Sequence, residues 1–258
     1  MSVVLVTGGS GTLGRAVVRG LLREGHQVRL TSRRPRPATA DPGVEWHTVD
    51  YATGEGLDAA FAGADSVVHT ATSVSGKRDL ALANTVVSAV ARTGAPHLVY
   101  ISIVGVDRIP LPYYQGKFAA EAVFRESGLP WTVLRTTQFH DLVLRVLGVL
   151  AKSPLMPVPA GVPVQPVEVT EVAERLVELA TGTPAGAAPD LGGPETHLLT
   201  DLARLYLRAQ GRRRWVLPVR LPGEVFTGYR NGAHLAPEYA HGKVTFAEFL
   251  AEETGKKR

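Results

Sequence analysis

Cysteine is absent from this 258-residue chain, and charged residues make up 20% of it. The lack of cysteine excludes a disulfide framework and any metal site built on thiolates. Hydrophobic residues account for 45%, close to the globular average, which excludes a disordered or fibrous protein. Several histidines also lack the spacing of metal ligands, so the sequence predicts no metal site; they are His47, His97, His197, His234 and His241.

Long hydrophobic runs are also missing. Residues 1–6 lead straight into a glycine loop, without the basic segment and long apolar core of a signal peptide, so they are predicted to contain the first strand. The most apolar later stretch, 142–157, is interrupted by Arg145, Lys152 and Pro154 and is too short to span a bilayer. We therefore expect a cytoplasmic protein that involves no membrane.

Positive charge is in small excess over negative charge. The formal net charge is +4 and the sequence pI is about 9.5. Basic residues cluster at Arg33, Arg34 and Arg36 and again at 212–214, but no aromatic residues interleave with them as a single-strand platform requires. We predict a small anionic ligand and no nucleic-acid partner. The sequence does not indicate an oligomeric state.

Short apolar runs alternate with helical patterns in the first half of the chain. Residues 3–7 are nearly all apolar, as in a parallel strand buried on both faces. The alternation predicts right-handed crossovers and an α/β protein with a doubly wound parallel sheet, the Rossmann arrangement. The predicted strands are 3–7, 26–31, 45–49, 66–70, 97–103 and 131–135, and the predicted helices are 11–24, 57–62, 79–93 and 113–127.

The alternation is looser beyond residue 140. Thr200 is the predicted cap of one helix, and Glu248 completes a capping box with Thr245 at the start of the last. We expect one domain over 1–258, with a dinucleotide-binding core at 1–140 and a small C-terminal α/β lobe at 141–258 over the carboxyl edge of the sheet. The predicted helices here are 141–151, 170–181 and 200–210, and the extended segments are 162–167 and 214–217.

Glycines recur in the turn between the first strand and the first helix, with the spacing Gly-x-x-Gly-x-x-Gly. Gly8 permits a tight turn, Gly11 lets the backbone approach a pyrophosphate, and Gly14 lets the helix pack closely. N–H groups at the start of the helix then face the phosphates. The alternative is a purely structural loop. The predicted cofactor-binding residues here are Gly8, Ser10, Gly11, Thr12, Leu13 and Gly14.

This glycine spacing resembles the short-chain dehydrogenase/reductase superfamily, and more closely its atypical branch of NmrA-like and NAD(P)H-binding reductases. The resemblance implies a nicotinamide dinucleotide as cofactor and extends over nearly the whole chain. The further stretches that carry it are Tyr-Ile-Ser-Ile-Val-Gly at 100–105, Tyr-Tyr-Gln-Gly-Lys at 113–117, Leu-Arg-Thr-Thr-Gln-Phe-His-Asp at 134–141 and Val-Gln-Pro-Val-Glu-Val at 164–169.

The end of the second strand distinguishes NADP from NAD. An NAD site usually has a carboxylate there for the ribose 2′-hydroxyl, but this chain has Thr31, Ser32, Arg33 and Arg34. Arg33 could bind a 2′-phosphate through two hydrogen bonds, with help from Thr31, Ser32 or Arg34. We predict NADP over NAD; the alternative is a solvated basic loop.

The resemblance assigns further cofactor contacts to the ends of the third and fourth strands. It implies that Asp50 accepts a hydrogen bond from the adenine amino group, although a turn residue at a strand end is an equal alternative. It also implies that the loop containing Thr70 and Ala71 lies along the cofactor ribose. No catalytic role is predicted for His69.

Tyr113 and Lys117 stand four residues apart on one predicted helix face. In the superfamily such a pair donates the proton that accompanies hydride transfer; the ammonium lowers the phenol pKa and contacts the nicotinamide ribose. The predicted catalytic residues are thus Tyr113, Lys117 and Ser102. Ile103 replaces the usual second serine, and Tyr114 makes the register of the tyrosine ambiguous. In the alternative, NADPH reduces an electron-poor acceptor without a protein proton donor.

Gln138, Phe139 and His140 follow the sixth strand and are predicted to line the acceptor pocket. A structural histidine and a core phenylalanine are the alternatives. Gln165 is predicted to face the same cavity or to lie on an edge strand. The leading hypothesis is an NADPH-dependent oxidoreductase acting on a quinone, dye or carbonyl compound. The alternatives are a non-enzymatic redox sensor of the NmrA kind and a sugar-nucleotide epimerase or dehydratase.

Overall fold

The structure is a computed structural model that describes residues 1–73, 75–94 and 96–255. The strands are β1 (Val3–Thr7), β2 (Gln27–Ser32), β3 (Val44–Thr48), β4 (Ser66–His69), β5 (His97–Ile103), β6 (Trp131–Thr136), β7 (Leu155–Pro159), β8 (Pro163–Val164), β9 (Gly186–Ala187), β10 (His197–Leu198) and β11 (Trp215–Val219). The helices are α1 (Thr12–Arg23), α2 (Leu57–Phe61), α3 (Gly76–Arg92), α4 (Pro112–Glu126), α5 (His140–Leu150), α6 (Val169–Thr181), α7 (Leu199–Ala209), α8 (Glu224–Arg230) and α9 (Phe246–Gly255), with a 3₁₀ turn at Pro237–Tyr239.

Seven of the described strands form one sheet in the order β3-β2-β1-β4-β5-β6-β9. Strand β1 pairs parallel to β2 on one side and to β4 on the other, so the strand order reverses at β1. This topology confirms the predicted α/β Rossmann fold. Ligands of such sheets bind beyond the carboxyl ends of the strands where the order reverses, which here are the ends of β1 and β4.

Chain contacts divide the protein into two compact units. The first comprises Met1–Ser102, Pro112–Arg135 and Thr170–Pro189, and the second comprises Ile103–Leu111, Thr136–Val169 and Asp190–Arg258. The predicted division at residue 140 lies close to one of these boundaries. However, the segment that contains α6 and β9 returns to the first unit, where a Cβ on Gly20 of α1 would lie 3.1 Å from Val177.

Each unit has its own apolar core. In the first unit, side chains of β1, β4 and β5 pack with those of α2, α3 and α4, and Leu5, Phe61 and Phe124 are completely buried. In the second unit, α5, α7 and α9 pack with the small sheet of β7 and β11 around Leu147 and Met156. No helix in the described part of the chain is both long and apolar enough to cross a membrane.

The observed bounds of the first six strands lie within one residue of the predicted ones. Helix α3, predicted at 79–93, instead begins at Gly76, and its first turn packs against the backbone of α4. Strand β7 was not predicted, since the prolines in its sequence, Leu-Met-Pro-Val-Pro, disfavour a strand. It pairs with β11 as a two-stranded parallel ladder, in which an edge proline is tolerated.

Helix starts in the second unit were predicted with mixed success. The prediction that Thr200 caps α7 is wrong: Leu198 is the capping residue, and Thr200 lies buried in the first turn. The capping box at α9 is confirmed. There the N–H of Thr245 donates to the Glu248 carboxylate at 2.8 Å, and the N–H of Glu248 donates to the Thr245 hydroxyl at 3.2 Å.

Candidate functional site

The glycine loop after β1 is packed against the loop after β4. Gly8 has a positive φ of 68°, and a Cβ on it would lie 2.7 Å from both the Cα and the N of Ala71. A Cβ on Gly14 would lie 2.6 Å from the Cα of Gly9, so the first turn of α1 also touches the loop backbone directly. At both positions the neighbouring atoms belong to the backbone, which cannot move aside as a side chain can. Glycine is therefore required sterically at Gly8 and Gly14.

The start of α1 offers hydrogen-bond donors to an anion. Gly11 is the N-cap residue and supplies no side chain to the free N–H groups of the first turn. Ser10, Gly11 and Thr12 are exposed. The guanidinium of Arg15 donates to the carbonyl of Ser10 at 2.6 Å and braces the loop. These residues fit a diphosphate, which such a helix start binds through N–H groups and the helix dipole.

The loop after β4 is fastened to the end of β1. The hydroxyl of Thr70 donates to the carbonyl of Thr7 at 2.7 Å, and the N–H of Ala71 donates to the Thr7 hydroxyl at 3.4 Å. Thr7 also bonds to Nδ1 of His69 at 2.7 Å. Thr70 and Ala71 thus lie beside the glycine loop, as a ribose contact requires, and that role remains a prediction.

His69 is buried between the sheet and α4. Its ring stacks on Tyr100 with centroids 5.6 Å apart and lies 5.8 Å from the ring of Phe124. Burial, assisted by the positive charge of Lys117, lowers the pKa of His69 to about 3. The imidazole is therefore neutral, and it holds Thr7 in place.

The end of β2 carries two exposed arginines and no carboxylate. Arg33 and Arg34 both face solvent. The N–H of Arg34 donates to the hydroxyl of Ser32 at 3.0 Å, and its carbonyl accepts from the indole of Trp46 at 3.0 Å. The backbone of this turn is thereby fixed, while neither guanidinium group has a hydrogen-bond or ion-pair partner among the described residues. Trp46 was not predicted as a site residue because its contact crosses from β3 to the β2 turn.

Asp50 forms a turn after β3. One carboxylate oxygen accepts from the N–H of Ala52 at 2.7 Å, and its backbone bonds to Glu55 and Gly54. This geometry matches the predicted alternative of a strand-end turn residue. Beside it, the hydroxyl of Tyr51 bonds to Thr31 at 2.7 Å, and burial raises the pKa of Tyr51 to about 12.

Four side chains from three segments meet at the first turn of α3. We call Thr72, Asp79, Tyr113 and Lys117 the Lys117 cluster. The Thr72 hydroxyl donates to Asp79 at 3.0 Å, so its oxygen is left to accept from the Tyr113 hydroxyl at 3.2 Å. The ammonium of Lys117 lies 3.6 Å from the Asp79 carboxylate, and these two side chains are only 4% and 2% exposed.

The ammonium of Lys117 is held at the end of β5. It donates to the carbonyl of Ile101 at 3.3 Å and lies 4.8 Å from the centre of the Tyr100 ring. Burial lowers the pKa of Lys117, and the negative charge of Asp79 opposes that effect. The predicted ribose contact of Lys117 therefore competes with an internal ion pair.

Tyr113 does not have the lowered pKa that the superfamily resemblance implies. Burial raises the pKa of Tyr113, the hydrogen bond between Tyr113 and Thr72 opposes this, and the charge of Asp79 raises it further. Burial is the largest cause of this shift, and the carboxylate of Asp79 adds to it. Tyr113 is therefore a protonated phenol at neutral pH.

The approach of Asp79 to Lys117 depends on two glycines. A Cβ on Gly76 of α3 would lie 2.9 Å from the Cα of Gly116 in α4, and a Cβ on Gly116 would collide with the Gly76 backbone. The two helices therefore touch backbone to backbone, one residue from Lys117 and one turn from Asp79. Asp79 was not predicted, but a glycine within each helix was an available signal of a close crossing.

Two further hydroxyls near this end of β5 are buried. Ser102 is 1% exposed, and neither its hydroxyl nor that of Tyr100 has a hydrogen-bond partner among the described residues. Burial raises the pKa of Tyr100 well above its usual value. Ser102 is thus placed on the same strand as the Ile101 carbonyl that Lys117 contacts, and its catalytic role remains a prediction.

The predicted acceptor residues all belong to the second unit. The side-chain N–H of Gln138 lies 3.5 Å from the carbonyl of His234, its side-chain oxygen has no partner among the described residues, and Phe139 is half-buried. His140 is completely buried, stacked 5.1 Å from Phe249, with Nε2 bonded to the Val244 carbonyl at 3.0 Å. Burial lowers the pKa of His140. This placement favours the structural alternative for His140 over a substrate contact.

The side chain of Gln165 connects separate loops of the second unit through hydrogen bonds. Its side-chain nitrogen donates to the carbonyls of Gly193 at 2.8 Å and Ala236 at 3.2 Å, and its oxygen accepts from the N–H of Ala236 at 2.8 Å. These bonds use all the strong donors and one acceptor site of the amide. Gln165 therefore joins three loops, and its side-chain N–H groups are not available to a ligand.

Comparison with known proteins agrees with this geometry. Residues 8–179 match the NAD(P)H-binding family. The chain is 30% identical over 215 residues to a (4-alkanoyl-5-oxo-2,5-dihydrofuran-3-yl)methyl phosphate reductase of Streptomyces griseus, covering 81% of this chain and 74% of that protein. Several other curated relatives are matched over less than half of their own length.

Solved structures share the fold. The NADPH-dependent quinone oxidoreductase of Escherichia coli, complexed with NADPH, has a TM-score of 0.84 and 20% identity over 97% of this chain and 99% of that one. The triphenylmethane reductase of Citrobacter sp., complexed with NADP(H), has a TM-score of 0.81 and 20% identity over 97% and 99%. The family match covers well over half of the chain and confirms the predicted resemblance: the protein belongs to the NAD(P)H-binding family.

Proposed function

We propose that this protein is an NADPH-dependent oxidoreductase that transfers a hydride to a small acceptor of the quinone, dye or carbonyl type. The glycine loop carries the proposal, because Gly8 and Gly14 exclude side chains and the first turn of α1 is left open to an anion. Membership of the NAD(P)H-binding family supports it. The quinone oxidoreductase and triphenylmethane reductase with the same fold support the acceptor class.

The preference for NADPH rests on the end of β2. Arg33 and Arg34 are exposed beside a turn whose backbone is fixed by Ser32 and Trp46. Residues 30–40 contain no carboxylate that would repel a 2′-phosphate or bind a 2′-hydroxyl. A guanidinium can bind the phosphate through two parallel hydrogen bonds.

The chain's own residues would supply a proton. The bound cofactor provides the hydride, and hydride addition to a carbonyl or quinone leaves an oxyanion that needs a proton. Tyr113 is the proposed donor, because its raised pKa keeps the phenol protonated at neutral pH. Lys117, paired with Asp79, holds the end of β5 in position rather than activating a phenolate.

Two measurements test the proposal. Calorimetry should show that NADPH binds at least about ten times more tightly than NADH, since hydrogen bonds between charged groups contribute more than about 1.4 kcal/mol. Oxidation of NADPH, followed at 340 nm, should be accelerated by at least one member of a panel of quinones, triphenylmethane dyes and aldehydes. Equal or tighter binding of NADH would contradict the cofactor preference. No turnover with any acceptor would contradict the enzymatic role.

A non-enzymatic redox sensor is the second candidate, and the Lys117 cluster favours it. Burial and the charge of Asp79 raise the pKa of Tyr113, and the Lys117 ammonium is paired with Asp79, so the superfamily's activated phenol is missing. A sensor would bind NADPH and NADP with nearly equal affinity, would reduce none of the acceptors, and would retain a partner protein in only one redox state of the ligand.

A further inference from the structure

The small sheet of β7 and β11 has one buried face and one exposed apolar face. Met156 and Val158 are completely buried in the second core. Because side chains alternate along a strand, residues 155 and 157 face the other way. The register pairs Leu155 with Trp215 and Pro157 with Leu217 on that outer face, where Trp215 is 80% exposed and Leu155 is 56% exposed.

Four basic residues lie just before the first residues of β7 and β11. Arg212, Arg213 and Arg214 lead directly into β11, and Lys152 lies three residues before β7. The N–H of Trp215 donates to the carbonyl of Pro154 at 3.3 Å, which holds the two segments side by side. Within the described ranges, none of these four side chains forms an ion pair. We call Leu155, Trp215, Leu217 and these four cations the basic sheet face.

The two chain segments that contain these strands carry charge of a single sign. Segments 142–167 and 202–223, which contain both strands, include no acidic residue. Two copies that met through the basic sheet face would bring like charges together, which disfavours a symmetric dimer. The occupant that complements this surface is therefore negatively charged. The cations of the two segments are Arg145, Lys152, Arg204, Arg208, Arg212, Arg213, Arg214 and Arg220, of which Arg204 is paired with Asp201 just outside the second segment.

We propose that the basic sheet face docks the protein onto an anionic phospholipid surface. A tryptophan at the level of the headgroups, flanked by exposed leucines and a cluster of four to eight lysines or arginines, is the combination that binds such membranes peripherally. A nucleic acid would need several stacking rings, and Trp215 is the single aromatic residue of the face. The proposal departs from the expectation of no membrane, which rested on the lack of a spanning segment; peripheral docking needs none.

Co-sedimentation with vesicles tests the proposal. The protein should bind vesicles of phosphatidylcholine containing phosphatidylglycerol, fail to bind pure phosphatidylcholine, and dissociate at high salt. The triple variant R212S/R213S/R214S should weaken binding about 100-fold, because each surface cation contributes about fivefold. Trp215→Ala should weaken it about tenfold. The tryptophan emission should shift to shorter wavelength on binding, and this shift should be lost in Trp215→Phe.

The triple variant R33S/R34S/R36S is the charge-matched control and should leave vesicle binding unchanged. Absence of binding to anionic vesicles would overturn the proposal. Two other outcomes would also overturn it: tight binding of single-stranded DNA that requires Trp215, without vesicle binding, or a concentration-dependent dimer abolished by Trp215→Ala. Because vesicle binding is measured without cofactor, its failure is distinct from failure of the proposed reductase activity.

Discussion

The glycine loop after β1 offers backbone N–H groups to a ligand, whereas the Lys117 cluster is built from side chains of three segments. The loop gets its shape from glycines that exclude any Cβ. The cluster gets its geometry from a buried charge pair, whose partners must compensate each other's desolvation.

This difference affects how each region responds to change. A backbone site tolerates changes in nearby side chains but not the addition of a methyl group at Gly8 or Gly14. A buried side-chain cluster tolerates no loss of one charged member, because the other charge would remain buried alone. Substitutions can therefore separate the two regions.

Replacement of Gly8 with alanine should have the largest effect. The residue combines a φ of 68° with a Cβ position 2.7 Å from the backbone of Ala71. Because the strained backbone and the collision act together, we expect the free energy of unfolding to fall by about 4 kcal/mol and NADPH binding to be lost. Urea denaturation and calorimetry would measure the two effects.

Gly25→Ala is the matched control. Gly25 has a φ of 78°, but a Cβ there would meet nothing within 4 Å. Only the backbone strain remains, so we expect a loss of about 1 kcal/mol and normal NADPH binding. Equal losses in the two variants would show that the close approach of the two loops is unimportant.

Asp79→Asn should have the next largest effect. It leaves the Lys117 ammonium buried without a counter-charge, which should lower the free energy of unfolding by about 3 kcal/mol at pH 7. Asp58→Asn removes one partner of an exposed pair with Arg92 and is the matched control, with stability nearly unchanged. Equal losses would mean that burial of the Lys117 pair is not what stabilises this region.

The pH dependence of Asp79→Asn has a definite sign. Without the carboxylate, the pKa of Lys117 should fall further below its usual value, since burial is then unopposed. Between that pKa and the higher pKa of the unfolded chain, the unfolded state binds more protons, so the stability of the variant rises with pH. Its deficit relative to wild type should therefore be smaller at pH 9.5 than at pH 7. A constant deficit would contradict this account.

The sequence predicts the loop better than the cluster, for a physical reason. Strand β1, the three glycines and the start of α1 are contiguous, so their spacing alone defines the site. The partner of Lys117 comes from another helix, and the only local sign of it is a glycine in each helix at the crossing. The family resemblance predicted Tyr113 and Lys117, but it did not predict Asp79, whose negative charge raises the pKa of both groups.

Prediction from the sequence meets the same limit in the second unit. His140 and Gln165 were candidates because polar residues near a strand end often bind ligands. In the structure, however, aromatic rings surround His140, and loop carbonyls distant in sequence satisfy Gln165. Whether a buried polar side chain is satisfied depends on non-local backbone groups, which a single sequence does not locate.

Tyr113→Phe should lower kcat for a carbonyl or quinone acceptor about 100-fold, the contribution of a positioned general acid. Tyr114→Phe, on the adjacent residue, should change kcat little and resolves the register of the tyrosine. Because the pKa of Tyr113 lies above its usual value of 10.0, the rate should be flat from pH 7 to pH 9.5 and fall only at higher pH. An alkaline fall centred below pH 9 would instead indicate a phenol activated by Lys117.

The smallest expected effect concerns the end of β2, which is predicted to bind the same cofactor as the glycine loop. Arg33→Ala should raise the Kd for NADPH about 30-fold, equivalent to about 2 kcal/mol, and leave the Kd for NADH unchanged. Arg36→Ala removes the same charge from a guanidinium that donates to the Asp41 carbonyl, and it should affect neither nucleotide. Equal weakening of NADPH and NADH by Arg33→Ala would place the guanidinium at the shared diphosphate. No weakening of either would leave Arg33 in a solvated loop, and the selectivity for NADPH would then have to come from another residue.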